Sequence, residues 1–427
     1  MRRILAWMLA AALALTACGG RNQQPPYSGE AEAEPVELTL WTFPVGDWGN
    51  PTVLSGLLAG FREAHPDIHV SVECLDYDTG DARINEAIAQ GFAPDVVLES
   101  PERLVSNWGE RGLMADLAEL WSAEPAGEIY DSVRTACRHS SGAYYVFPLC
   151  MSAHCMAINY DLFQAAGALQ YLDEESRTWS TEGFIQAVEA LRSCGLERVA
   201  AVYCGSQAGD QGTRALVTNL YGGSFTDADH TRYTFDSEEN IRALELLRNL
   251  EGVSFAPELS GSGEADLFCQ GELAMAFCWN GALEVLQTLK YPDMNFRILP
   301  MAFPSGSGEP RLQYGIWGFG VFDNHDEARL AAAKELIRFL TGSDSQYSRA
   351  VQATNFWPVR EMGELYPNDA LMAEYSRFIP YMGDYCQVTP NWVQAREAWW
   401  RMLQQVGGGA DIGEAVRAFS ETANGSP

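Results

Sequence analysis

Val36-Glu37-Leu38-Thr39-Leu40-Trp41-Thr42-Phe43 is the stretch on which the reading of the fold turns. It is rich in leucine, threonine and aromatic residues and free of glycine and proline, the composition of a buried strand. Asn50 and Pro51 follow and open a helix through about residue 64, the proline suiting its first turn. His65-Pro66-Asp67 breaks that helix, and 68–75 alternates as a second strand. Residues 81–90 read as a helix, Pro94-Asp95-Val96-Val97-Leu98 as a third strand, and 108–120 as loop and helix. Strand, helix, strand, helix, strand predicts an α/β fold with a parallel, helix-covered sheet.

The rest of the chain continues in the same manner. Extended segments are expected at 144–148 and 153–159, with apolar runs at 273–279 and 314–322. Helices are expected at 161–167, 180–194, 240–251, 327–340, 343–351, 368–375, 392–406 and 412–422, with turns at Gly222-Gly223 and 261–263. No repeat appears.

Upstream of the first strand, Arg2 and Arg3 precede an apolar run over 4–15 and the box Leu15-Thr16-Ala17-Cys18. Charged start, short apolar core and small residues make a secretory signal, and the run is too short to span a bilayer as a stable helix. Leu15-Thr16-Ala17-Cys18 also resembles the lipobox of bacterial lipoproteins. That resemblance implies cleavage of 1–17 and lipidation of Cys18, each buried methylene of an acyl chain contributing about 0.8 kcal/mol to membrane attachment. Residues 19–35 (GGRNQQPPYSGEAEAEP) read as a disordered tether.

The 427 residues suffice for two domains. Lysine and arginine number 28 against 57 aspartate and glutamate, a formal charge of −29, which argues against nucleic acid and anionic lipid as partners. Nine cysteines follow Cys18. No C-x-x-C and no zinc-like cysteine–histidine spacing occurs, so no metal or other cofactor is expected. Cys194 with Cys204, and Cys150 with Cys155, are open pairings, and the odd number leaves at least one thiol free. Asp76-x-Asp78-x-Gly80-Asp81 hints at a calcium loop, but its glycine falls one position early and Ala87 stands where the closing acid belongs.

Several stretches, in order, resemble the extracellular solute-binding proteins, family 1, which feed sugar ABC transporters. They are Leu38-Thr39-Leu40-Trp41, Phe61-Arg62-Glu63-Ala64-His65-Pro66-Asp67-Ile68, Gly91-Phe92-Ala93-Pro94-Asp95-Val96-Val97, Trp108-Gly109-Glu110-Arg111-Gly112-Leu113, Ile158-Asn159-Tyr160-Asp161-Leu162-Phe163 and Gly271-Glu272-Leu273-Ala274-Met275. The likeness covers 36–423. It departs where the family often has glycine before tryptophan, since here Trp279 precedes Gly281. It implies a two-lobed periplasmic-binding-protein-like fold of the class II type, with three hinge crossings near 149–153, 299–301 and 322–324. The expected first lobe is 36–150 plus 300–323, and the second 151–299 plus 324–427. Ligand binds between the lobes, which close by hinge motion.

A sugar needs flat rings for its faces and planar polar groups for its hydroxyls, and the chain has 12 tryptophans and 17 tyrosines. Where strands meet loops, the candidates are Trp41, Phe43, Asp47 and Trp48 after the first strand, then Glu99, Glu102 and Arg103 after the third. Trp41 reads equally as core. Glu102 and Arg103 read also as an exposed helix start. Tyr145 and Ser152 flank the first expected crossing, and His154 reads as a core histidine. Further along stand Trp279 and Asn280, Trp317, Trp357 with Arg360, and Trp392. A carboxylate can accept two vicinal hydroxyls and an arginine can donate a fork.

The resemblance implies a monomeric, membrane-anchored carbohydrate receptor on the extracytoplasmic face of a bacterium, expected to be Gram-positive, delivering to an ABC permease without catalysis. Two alternatives remain in view. One is a secreted glycoside hydrolase using paired carboxylates. The other keeps the fold and binds a glycerol phosphate or another polyol-like solute.

Overall fold

The computed structural model describes residues 35–76, 79–206, 209–363, 365–383 and 385–425. The signal, Cys18 and the tether up to residue 34 lie outside these residues. The strands are β1 (Val36–Thr42), β2 (Ile68–Cys74), β3 (Val96–Glu99), β4 (Phe147–Ala153), β5 (Cys155–Asn159), β6 (Ala200–Tyr203), β7 (Val253–Ala256), β8 (Met275–Trp279), β9 (Ile298–Met301), β10 (Tyr314–Val321) and β11 (Trp357–Pro358).

The first sheet has six strands in the order β11-β4-β10-β3-β1-β2. β2, β1 and β3 are parallel, as the β-α-β-α-β pattern predicts. β10 runs antiparallel between β3 and β4. The Pro94-Asp95 step has a structural task here. Asp95 is buried, and one of its carboxylate oxygens accepts Thr39 N–H at 2.8 Å and Arg329 at 2.6 Å, which ties β1 and the chain after β10 to the start of β3. Helix Pro51–Ala64 buries Leu54, Leu57, Leu58 and Phe61, the i, i+3, i+4, i+7 stripe of an amphipathic helix, and Asn50 caps it by accepting Thr52 N–H.

The second half holds a three-stranded sheet, β8-β5-β9, and the parallel pair β6-β7. The chain passes between sheets at His154, between β4 and β5, and again between β9 and β10. The third expected crossing, at 322–324, gives way. Helices Glu327–Gly342 and Asp344–Gln352 pack on β1, β4 and β11, and β11 joins the first sheet beside β4. The chain therefore stays with the first sheet to Pro358, and 324–427 does not all belong to the second lobe. The apolar face Ala333, Leu336, Ile337 and Leu340 is plain from sequence spacing, but periodicity does not say which sheet that face covers. Helices Trp392–Gly407 and Ile412–Asn424 do pack in the second half, against each other and against helix Glu238–Asn249.

All nine described cysteines are unpaired thiols, so neither sequence-suggested disulfide is formed; Cys74 and Cys194 are exposed and the others buried. Burial pushes the thiols of Cys150 and Cys204 up to about 12. No described helix is long and apolar enough to cross a membrane.

Candidate functional site

Glu99 ends β3 and faces Gly318 of β10. A Cβ at Gly318 would lie 2.5 Å from the Phe147 carbonyl oxygen, so the three strands are drawn tightly together beneath Glu99. The Glu99 side chain is buried. Its Oε1 accepts from Ser100 Oγ at 3.0 Å and from Arg103 Nη1 at 2.9 Å. Burial pushes the Glu99 carboxyl up, and the Arg103 guanidinium offsets this only in part. Arg103 forks onto Asp81 at 2.6 and 3.0 Å and also reaches Glu102 at 3.3 Å. Burial opposes its charge, but the carboxylates around it prevail and hold it above the ordinary arginine value.

Opposite stands helix Trp392–Gly407. Trp392 and Arg396 lie one turn apart on it and therefore share a face. Trp392 Nε1 donates to Glu102 Oε2 at 3.1 Å, and Arg396 Nη1 donates to Glu102 Oε1 at 2.8 Å. Arg396 also holds Asp210, through Nε at 3.1 Å and Nη2 at 3.3 Å. Asp210 pairs with Arg214 at 2.5 Å, and the Arg214 guanidinium lies 4.8 Å over the Trp392 ring. Burial works against the Asp210 charge; Arg214 and Arg396 overcome it and keep the carboxyl below the usual range. Opposite charges thus alternate from Asp81 through Arg103, Glu102, Arg396 and Asp210 to Arg214.

The crossing strands form the floor. Ser152 pairs opposite Gly315, and the His154 N–H donates to the Gln313 carbonyl at 2.9 Å. Burial, then the nearby Arg214 charge, lower the His154 imidazole to about 4, so it is neutral at physiological pH. The Tyr385 ring meets Tyr314 edge-on at 5.4 Å, and Gln387 Nε2 donates to the Tyr314 carbonyl at 2.9 Å. Buried polar atoms around this floor and wall without a hydrogen-bond partner among the described residues include Glu99 Oε2, Ser152 Oγ, His154 Nδ1 and Tyr385 Oη, with Nε and Nη2 of Arg214. In a native interior such groups are rare.

Of the sequence candidates, the structure brings Glu99, Glu102, Arg103 and Trp392 into one network, with Ser152 on the crossing strand beside it. Phe43 is buried with the Arg103 guanidinium 5.1 Å over its ring, and Trp41 is buried beneath Arg83. Tyr145 is half-buried, its ring 5.4 Å from His139. Trp317 is half-buried and stacks on Phe356 at 4.7 Å.

The others lie elsewhere. Trp48 is fully buried in the first half, its indole N–H donated to the Ala350 carbonyl at 2.9 Å, while Asp47 beside it is exposed. Trp279 is fully buried and donates to Tyr375 Oη at 2.7 Å, and the Asn280 carbonyl caps helix Gly281–Lys290 by accepting Leu283 N–H. Arg360 binds Glu128, Asp344 and the Thr341 carbonyl, a brace within the first half. Trp357 and Arg360 also border a groove of about 370 Å³, with Met151, Tyr366 and Met372.

Sequence reasoning missed Asp210, Arg214, Tyr385, Gln387 and Arg396, and it assigned His154 to the core. One signal was available: Trp392 with Arg396, and Asp210 with Arg214, each stand at i, i+4, the spacing that puts two side chains on one helix face.

The family model described as bacterial extracellular solute-binding protein matches residues 56–371. Solved structures share the fold. An ABC transporter solute-binding protein from Thermotoga lettingae, bound with α-D-tagatose, aligns with a TM-score of 0.72 at 19% identity, over 91% of this chain and 99% of that one. The GacH receptor of Streptomyces glaucescens, solved unliganded and with acarbose, gives 0.71 at 15% identity, over 90% and 96%. A solute-binding protein from Agrobacterium radiobacter in complex with ribitol gives 0.67 at 21% identity, over 91% and 98%. No curated protein matches the chain by sequence. The fold is the two-lobed periplasmic-binding-protein-like one, and the chain belongs to the bacterial extracellular solute-binding proteins.

Proposed function

We propose that the protein is an extracytoplasmic receptor that captures a carbohydrate between two lobes and delivers it to an ABC permease, without turning it over. The observation that carries this reading is the set of unpartnered buried atoms there, Glu99 Oε2, Ser152 Oγ, His154 Nδ1 and Tyr385 Oη among them. Each such group left unmatched costs about 1–3 kcal/mol, and a ligand dense in hydroxyls supplies both donors and acceptors. The tagatose, acarbose and ribitol carried by structural neighbours support a sugar or sugar-like polyol.

A phosphate-bearing solute fits less well. Arg103 and Arg396 are held by carboxylates, and Arg214, though its Nε and Nη2 are unpartnered among the described residues, pairs with Asp210 through Nη1, so an anion would meet a carboxylate beside each arginine. In this reading 1–17 is a signal, Cys18 carries the lipid, 19–35 is the tether, and the receptor is a monomer on the surface of a Gram-positive cell. Calorimetry of the purified protein against mono- and oligosaccharides, polyols, glycerol phosphates and glycosides tests it. A carbohydrate binding at about micromolar Kd, unaltered on recovery, is expected. Binding of phosphate esters alone, or hydrolysis of a glycoside, sinks the reading. Cys18→Ser should release the protein from membranes with its affinity unchanged.

A further inference from the structure

Glu102 and its two captors stand on opposite halves of the molecule. The turn Pro101–Arg103 follows β3 of the first sheet and packs on β10 and on the turn Cys386–Val388. Trp392 and Arg396 belong to a helix that packs on β7 and on helix Ile412–Asn424, in the second half. Each oxygen of the one carboxylate receives a donor from across the cleft: Oε1 from Arg396 Nη1 at 2.8 Å and Oε2 from Trp392 Nε1 at 3.1 Å. The contact is sheltered from water. Glu102 is 8% exposed, and the Arg396 side chain 13%.

Both halves are braced before they meet. On the first, Arg103 holds Glu102 at 3.3 Å. On the second, Asp210 holds Arg396 through two nitrogens at 3.1 and 3.3 Å, and Arg214 lies 4.8 Å over Trp392. Groups already fixed in their own half lose little rotamer freedom on joining. An opened cleft returns Glu102 and the Glu102-facing edge of Arg396 to water, so the pair's desolvation and attraction are both spent on closure alone.

We propose that Glu102, Trp392 and Arg396 form a catch that closes the cleft before any ligand is present, with Arg396 as the positioning residue that carries the second lobe onto the first. The catch rests on the two-lobed capture reading. It sets a resident closed population, so a ligand's affinity includes closure energy the protein supplies itself, and that share weakens with salt.

Hydrogen–deuterium exchange on the full chain without ligand tests it, and its outcome does not depend on which solute the receptor takes. In Glu102→Gln and in Arg396→Gln, peptides spanning 101–109 and 385–396 should exchange about threefold faster or more, while β1 and β8 keep wild-type protection as proof of folding. The double variant should exchange no faster than the quicker single one, because either change already frees the catch. Trp392→Phe, which keeps the packing and deletes one donor, should give a smaller rise in the same peptides, and it stands in if Arg396→Gln fails to fold. Raising NaCl to about 1 M should move wild type toward the variants and leave the variants where they are. Wild-type exchange in Glu102→Gln and Trp392→Phe, an additive double variant, or equal salt response in all proteins would overturn the catch.

Discussion

Glu264 and Phe277 are joined by a hydrogen bond of 2.6 Å from backbone N–H to carboxylate, and the other oxygen of Glu264 takes the Cys278 N–H at 2.9 Å. Glu264 thereby holds the strand that ends at Trp279. Burial pushes its carboxyl up to about 8, and the two backbone donors offset only part of that. Its ordinary value is 4.5, so the native state retains a proton the unfolded chain gives up between those limits. The stabilisation is complete below about 4.5, falls by up to about 1.4 kcal/mol per pH unit through the window, and is lost above about 8. Glu264→Gln should flatten that fall. Urea midpoints at acid, neutral and alkaline pH read it, and an unchanged slope would refute the assignment.

His154 acts with the opposite sign over part of the same range. Its imidazole sits near 4 in the fold against 6.5 ordinarily, chiefly through burial and then through Arg214. The unfolded chain therefore takes up a proton the native state refuses. Stability is present above about 6.5 and drains away as pH falls toward about 4. His154→Gln should remove this acid-side loss while leaving the alkaline loss from Glu264. If the variant loses stability on acidification as steeply as wild type, His154 is not responsible.

Trp48 is expected to govern stability, not affinity. It is wholly buried, packs edge-on against Phe319 at 5.6 Å and donates to Ala350. Trp48→Ala should cost about 3–5 kcal/mol by the lost burial and the cavity left behind. Calorimetry on the folded fraction should return the wild-type Kd. A tenfold loss there would restore Trp48 to the ligand.

Arg360 is buried, but its partners Glu128 and Asp344 are 55% and 84% exposed. Its removal therefore leaves no stranded buried carboxylate, and the usual penalty for halving a buried pair does not apply. Arg360→Ala should cost about 1–3 kcal/mol, from the Tyr347 ring contact and the bond to the Thr341 carbonyl. Denaturant titration checks the figure; a loss near that of Trp48→Ala would mean the carboxylates are more sheltered than they look.

Glu99→Gln should weaken capture by more than tenfold, since the amide loses the charge that Arg103 pairs with and puts a donor where Oε2 would accept from a ligand hydroxyl. Trp357→Ala, at the groove beside β11, should leave Kd within about threefold. The reverse pattern would move the ligand to that groove.

Much of the architecture is legible in the sequence because local chemistry decides it. Pro51–Ala64, β2, β10 and helix Trp392–Gly407 fall within a residue or two of their expected bounds, each marked by a proline, a glycine or a clean period. Residues 197–221 went unread, and they hold Asp210 and Arg214. β6 is only Ala-Ala-Val-Tyr, and helix Gln211–Tyr221 buries the polar Thr213, Arg214 and Asn219 among its apolar residues, so burial there does not follow residue type. The cleft was half legible for a related reason. Glu99, Glu102 and Arg103 follow a recognisable strand, but the two partners that Glu102 takes from the second half lie 290 and 294 residues away. No local pattern reports on such a pairing. Trp48 and Trp279 are fully buried, and composition, which reveals a tryptophan, does not say which way its ring points.

The distribution of thiols has a practical consequence. Seven of the nine described cysteines are buried; the exposed ones are Cys74, ending β2 of the first sheet, and Cys194, closing helix Thr181–Ser193 in the second half. Among the described residues there is thus one exposed attachment point for a fluorophore on each lobe. Donor and acceptor dyes placed there turn the opening and shutting of the receptor into a change of energy-transfer efficiency, a molecular ruler that requires no engineered cysteine.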